Sequence, residues 1–143
     1  MQDVILKISN NIEKHHLIEQ NDKIIIGVSG GPDSIMLFNA LLKLKTKFNF
    51  DFIVAHVNHM IREEATYDEN LVRQMCIKNG IEIHCLTIDV LNEAKVQKIS
   101  TEECGRNIRY EFFNKLLSDT NSNKIAVAHN LGDNVETIIM KNS

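Results

Sequence analysis

Three of the chain's six glycines and its only proline fall within six consecutive residues, in the run Ile24-Ile25-Ile26-Gly27-Val28-Ser29-Gly30-Gly31-Pro32-Asp33-Ser34. Apolar β-branched residues ending in Ser-Gly-Gly-Pro predict a buried strand that runs into a tight turn. Ile35, Met36, Leu37, Ala40, Leu41 and Leu44 follow at helical spacing. Pro32 suits the first turn of that helix, where its missing N–H costs nothing. The order strand, glycine turn, helix confines the chain to folds in which the carboxyl end of a strand meets a helix N-terminus.

The same alternation continues. Residues 52–57, 81–88 and 124–128 read as buried strands, while residues 63–79 and 100–117 carry helical faces, the first ended by Asn79-Gly80. Residues 133–140 read as the start of a further helix, and Val4, Ile5, Ile8, Ile12 and Leu17 mark an amphipathic helix ahead of the first strand. Strands alternating with helices at these spacings indicate βαβ units, hence an α/β fold with a Rossmann-like, doubly wound parallel sheet. The polar stretch 89–99 has weak helical periodicity and reads as a mobile loop over a site.

At 143 residues the chain has the size of one domain, and with 43% hydrophobic and 24% charged residues it is globular in composition. Its three cysteines, Cys76, Cys85 and Cys104, form no CxxC and leave an odd thiol under any pairing, so they read as buried thiols in a reducing compartment. Apolar runs such as Ile24-Ile25-Ile26 are far too short to cross a bilayer, which points to a cytoplasmic protein without a membrane partner. The net charge of −3 lacks the basic excess of a domain that grips nucleic acid alone, so such a partner would need a local patch. A homo-oligomer is left open.

The turn after the first strand is built for an anion. Gly30 and Gly31 let the backbone approach a ligand without a Cβ in the way, Ser29 and Ser34 add hydroxyls, and the helix N-terminus offers unpaired N–H groups. Asp33 would repel a pyrophosphate unless a cation stood between them, so its carboxylate is a candidate Mg²⁺ ligand; its bland reading is an acidic first-turn residue. The loop is neither GxxxxGK[ST] nor GxGxxG.

Four segments carry a resemblance. Ser29-Gly30-Gly31-Pro32-Asp33-Ser34 resembles the SGGxDS signature of the PP-loop ATP pyrophosphatases, which cleave ATP between the α and β phosphates. His56-Val57-Asn58-His59-Met60-Ile61-Arg62 is similar to the HVNHGLR segment of tRNA(Ile)-lysidine synthetases, with Met60 where glycine is usual. Glu102-Glu103-Cys104-Gly105-Arg106-Asn107-Ile108-Arg109-Tyr110, with Phe113, is similar to their ExxARxxRYxxF helix, with Gly105 replacing alanine. Ala128-His129-Asn130-Leu131-Gly132-Asp133-Asn134-Val135-Glu136-Thr137 is similar to their AHHxxDQxET segment, with Asn130, Gly132 and Asn134 departing from it.

The resemblance implies an adenine nucleotide alpha hydrolase-like fold and an enzyme using ATP and Mg²⁺. It would ligate free L-lysine to C2 of the wobble cytidine of tRNA(Ile), forming lysidine through an adenylated tRNA and releasing pyrophosphate and AMP. It implies ATP binding by Ser29, Gly30, Gly31, Pro32, Asp33 and Ser34, with Asp33 also on Mg²⁺, and phosphate or tRNA contacts from Arg62, Arg106 and Arg109. Asp133 and Glu136 would hold the lysine ammonium and accept its proton; together with Asp33 they are the catalytic candidates. Read from spacing alone, Arg106, Arg109, Tyr110 and Phe113 share a helix face, and Asp133 and Glu136 are ordinary acids at a helix start. His56, His59 and His129 fall at strand ends without metal-site spacing and read as structural or substrate-contacting. The resembled synthetases continue beyond the last segment, so residues 1–143 are expected to be a PP-loop catalytic domain truncated at its C-terminus. The alternatives are a related PP-loop enzyme such as a tRNA thiolase, and an ATP-binding α/β module without chemistry.

Overall fold

The computed structural model describes residues 2–61, 63–129 and 136–141, with His129 and the last segment described by backbone only. Its elements are α1 (Gln2–His15), β1 (Lys23–Gly27), α2 (Pro32–Phe48), β2 (Asp51–Asn58), α3 (Glu64–Lys78), β3 (Ile83–Thr87), α4 (Val90–Gln97), α5 (Thr101–Asp119), β4 (Lys124–His129) and β5 (Glu136–Lys141). The sheet runs β3-β2-β1-β4-β5. The first four strands are parallel, with Ile25 opposite Ile53 on one side and Ile125 on the other. The expected doubly wound parallel sheet is therefore present.

Consecutive β1 residues point to opposite faces, so each face needs its own cover. On one face Ile24, Ile26, Val28, Phe52 and Val54 pack with Ile8 and Ile12 of α1, Leu37, Phe38 and Leu41 of α2, and Val72 and Cys76 of α3. On the other, Ile25, Ile53, Ala55 and Ile125 pack with Phe113, Leu116 and Leu117 of α5. Beside them Val90 and Ala94 of α4 meet Cys104 and Ile108 of α5.

Two sequence expectations are corrected. The stretch read as a mobile loop contains α4: Asp89 accepts a hydrogen bond from the Asn92 N–H at 3.1 Å, and Val90 and Ala94, four apart, are buried. The segment read as a helix starting at Asp133 contains β5, which runs antiparallel to β4 with Glu136 opposite His129 and Lys141 opposite Lys124. β1 satisfies one edge of β4, the other edge still needs partners, and the β-branched Thr137-Ile138-Ile139 run is suited to supply them. Among the described residues no helix is long and apolar enough to cross a membrane.

At the amino end of β1 and β4 lies a buried ion pair. Lys124 Nζ sits 2.6 Å from the Asp22 carboxylate, and their side chains are only 2% and 5% exposed. Lys124 also donates to the Leu17 carbonyl at 2.9 Å, while Asp22 accepts from the Glu19 N–H at 2.7 Å and from Asn123 Nδ2 at 2.8 Å. Burial alone would raise the Asp22 pKa; the hydrogen bonds from Lys124, Glu19 and Asn123 outweigh it and hold the carboxyl below its ordinary value of 3.8. Lys124→Met strands that carboxylate and is expected to cost about 3–5 kcal/mol of stability in urea unfolding. A folded pKa below the unfolded one stabilises above the unfolded value and loses that contribution as pH falls through the folded one. The parent chain should therefore lose stability below about pH 4, more steeply than Asp22→Asn in the same titration.

Candidate functional site

A cleft of about 830 Å³ opens at the carboxyl ends of the strands, and it is where the loop after β1, the end of β2 and one face of α5 meet. Its walls include Ser29, Gly31, Pro32, Asp33 and Ser34, together with Asp68 of α3 and Arg109, Tyr110 and Phe113 of α5. This is the crevice in which open parallel sheets bind ligands.

The loop is organised around one buried hydroxyl. Ser34 Oγ accepts from the N–H groups of Ser29 and Gly30, each at 3.2 Å, and donates to the Gly31 carbonyl at 3.0 Å. Ser29 Oγ lies 3.2 Å from it and accepts from the Gly31 N–H, also at 3.2 Å. Two backbone N–H groups thus converge on a single acceptor oxygen, an arrangement that an anion's oxygen can also satisfy. Pro32 opens α2 as expected, with Gly31 extended at the N-cap and Asp33 in the first turn.

Gly30 has φ +98°, and a Cβ there would lie 2.9 Å from the Cβ of Asp68. Both the left-handed backbone and the contact with α3 demand glycine. Gly31 differs: its nearest neighbour would be Ser29 Oγ at an ordinary 3.5 Å. Asp68 is a cleft residue that the sequence reading missed, since one of several acids on a helix, between Glu64 and Glu69, carries no signal until the helix is packed against the loop.

On β2, His56 is buried and its Nδ1 lies 2.7 Å from the Val28 carbonyl. Asn58 ties the strand end both to the next turn and to α3: its Oδ1 accepts from the Met60 N–H at 3.0 Å and its Nδ2 donates to Glu69 at 3.3 Å. His59 lines the cleft. Burial, followed by the charge of Arg109 and then by His56, pushes its pKa below the usual imidazole value, so the ring is neutral at neutral pH.

The four resemblance-bearing arginine and aromatic positions of α5 separate. Arg109, Tyr110 and Phe113 line the cleft, with the two rings edge to face at a centroid distance of 6.4 Å, whereas Arg106 is exposed on the same helix outside the lining. Arg62 and Asp133 lie outside the described residues. Glu136 opens β5, so the pairing of Asp133 and Glu136 on one helix face is replaced by a strand start. Cys76 and Cys104 are buried as expected and Cys85 is half-buried on β3.

A family model described as the PP-loop domain matches residues 2–143. The chain belongs to the PP-loop domain family. It is 48% identical over 139 residues to a tRNA(Ile)-lysidine synthase of Clostridium acetobutylicum, covering 96% of this chain and 30% of that protein. It is 46% identical over 142 residues to the tRNA(Ile)-lysidine synthase of Clostridium tetani, covering 99% and 30%. This chain thus spans about a third of the length of these curated relatives. Among solved structures it is similar to the U34-tRNA thiolase NcsA from Methanococcus maripaludis, with a TM-score of 0.74 and 23% identity over 90% of this chain and 44% of that one. An NH3-dependent NAD synthetase from Campylobacter jejuni gives 0.60 and 17%, over 87% and 54%. These two likenesses are of fold. As a PP-loop domain the chain binds ATP.

The two adjacent glycines should respond differently to a methyl group. Gly30→Ala is expected to lose about 1–3 kcal/mol of stability, combining left-handed strain with overpacking against Asp68. Gly31→Ala should stay within about 0.5 kcal/mol in the same thermal or urea measurement. Equal losses at both positions would contradict the placement of Asp68.

Proposed function

We propose that this chain is the PP-loop ATP-binding catalytic domain, residues 1–143, of a tRNA(Ile)-lysidine synthase acting in the cytoplasm. The reaction ligates the side-chain amine of free L-lysine to C2 of the wobble cytidine of tRNA(Ile), through an adenylated tRNA, with release of pyrophosphate and AMP. The observation that carries this reading is the 48% identity to a curated tRNA(Ile)-lysidine synthase, sustained over 96% of the chain.

The loop binds the phosphates of ATP by exchange of acceptors. A phosphate oxygen takes the place of Ser34 Oγ before the Ser29 and Gly30 N–H groups, and the Ser34 hydroxyl proton turns from the Gly31 carbonyl to the phosphate. The first turn of α2 adds its partial positive charge. Asp33 and Asp68, both lining the cleft beside the loop, are hard oxygen donors that fit a Mg²⁺ ion carried in on the phosphates, which needs only one or two carboxylates from the protein. When bound, that ion neutralises phosphate charge as pyrophosphate leaves.

Arg109 faces the same cleft as a permanently charged donor to phosphate oxygens, while Arg106, exposed outside it, and Arg62 suit the tRNA backbone. Asp133 and Glu136 are assigned to the lysine ammonium, holding it by charge and taking the proton that must leave before the amine attacks. The neutral ring of His59 beside Arg109 adds no second positive charge to repel that ammonium.

The test is labelled lysine incorporation into unmodified tRNA(Ile) by the whole protein that carries this chain, with tRNA(Met) as control. Incorporation into the first alone is expected, and none into either overturns the reading. Asp33→Ala should lower ATP-dependent pyrophosphate release by roughly 100-fold or more while the unfolding transition stays in place. Unchanged release would remove Asp33 from the site. Asp133→Asn should raise the lysine concentration for half-maximal rate by about tenfold and that for ATP by far less. Equal effects on both would detach Asp133 from lysine.

A further inference from the structure

Val28 is the last residue before the phosphate loop, and both of its backbone groups are held by β2. Its N–H donates to the Ala55 carbonyl at 3.0 Å, which extends the β1–β2 ladder by one step. Its carbonyl, with no backbone N–H partner among the described residues, receives the imidazole of His56, at 2.7 Å from Nδ1. Val28 and His56 are 1% and 2% exposed, so water does not compete for this bond.

A carbonyl only accepts, so the proton must be on Nδ1. In the neutral ring that leaves Nε2 as a bare acceptor, and Nε2 is buried with no hydrogen-bond partner among the described residues. A histidine chosen only to fill space would leave both its nitrogens to find partners; here one nitrogen is committed at short range and the other is sacrificed. The committed bond lies one residue upstream of Ser29 and two upstream of Gly30, whose N–H groups converge on Ser34 Oγ. Rotating the Val28 peptide would swing the Ser29 N–H with it, because the two groups belong to one planar unit.

We propose that His56 is a positioning residue for ATP: by donating from Nδ1 to the Val28 carbonyl it fixes the peptide plane that aims the Ser29 N–H into the phosphate loop. The inference depends on the PP-loop geometry and ATP binding, not on lysine or tRNA as substrates, so its failure and the failure of the lysidine synthase reading are separable.

Three substitutions isolate the bond. The Asn side-chain amide can place an N–H where histidine carries Nδ1–H; Gln places its amide farther out, near Nε2; Leu fills space without a donor. His56→Asn is expected to bind ATP within about threefold of the parent, whereas His56→Gln and His56→Leu should weaken ATP by about tenfold or more. Adenosine, which lacks the phosphates, should bind all four proteins within about twofold. Amide hydrogen exchange read in the same proteins should accelerate at Ser29 and Gly30 by about tenfold in the Gln and Leu variants, with Ile25 unchanged. Nitrogen NMR of the unmutated chain should report a protonated Nδ1 and a bare Nε2 on His56. The opposite tautomer overturns the proposal even if every variant fails to fold. So does ATP affinity that is unchanged in His56→Leu, or lost equally with adenosine in all three variants.

Discussion

β1 has no solvent-facing side. Ile24, Ile25 and Ile26 are fully buried, helices cover both faces, and β2 and β4 occupy both edges. A strand so enclosed can change direction only at its two ends, and each end needs polar partners that the sheet no longer supplies. At the carboxyl end those partners are the His56 ring and the serine hydroxyls of the loop. At the amino end they are Asp22, Asn123 and Lys124. The site and the ion pair are two answers to the same burial, one shaped to accept a ligand and the other closed.

The closed end also fixes which strand pairs where. Asp22 immediately precedes β1 and Lys124 opens β4, so their contact is compatible with Ile24 opposite Lys124 and would be lost by a shift of register. Asn123 reinforces it twice, accepting from the Lys23 N–H at 2.8 Å and donating to Asp22 at 2.8 Å. Lys124 reaches on to the Leu17 carbonyl and so ties the end of the α1 segment to the same point. Holding β4 beside β1 matters to function because Val127 and Ala128 form one wall of the cleft.

The features legible in the sequence are those that local pattern controls. The strand, glycine turn and helix around Gly30 and Pro32 need only residue types and period, and so does the alternation that makes the sheet parallel. α4 escapes such a reading because its helical face is two residues deep, Val90 and Ala94, and its cap, Asp89 to the Asn92 N–H, lies in a stretch whose polarity reads as loop. β5 mimics a helix because Glu136, Thr137 and Met140 also satisfy a helical spacing; the deciding fact is the unpaired edge of β4, which is tertiary. The candidate-site residues divide the same way. Ser29 to Ser34 form a contiguous signature, whereas Asp68 and the distinct fates of Arg106 and Arg109 depend on how α3 and α5 are rotated against the sheet.

Two departures from the lysidine synthetase pattern gain a physical meaning together. Met60 adopts φ +60°, in the left-handed region where the usual glycine carries no side-chain penalty. Its N–H is held there by Asn58 Oδ1, so the turn keeps its shape through a side-chain bond despite the methionine. The residue before it, His59, packs against α5 where Gly105 stands in place of alanine: a Cβ at that position would lie 3.2 Å from His59 Cε1 and 3.3 Å from Nδ1. One substitution puts a left-handed methionine next to His59 in the chain, and the other leaves room for its ring against α5. The ring between them lines the cleft beside Arg109, so the two changes, 45 positions apart in the sequence, act on the placement of one cleft side chain.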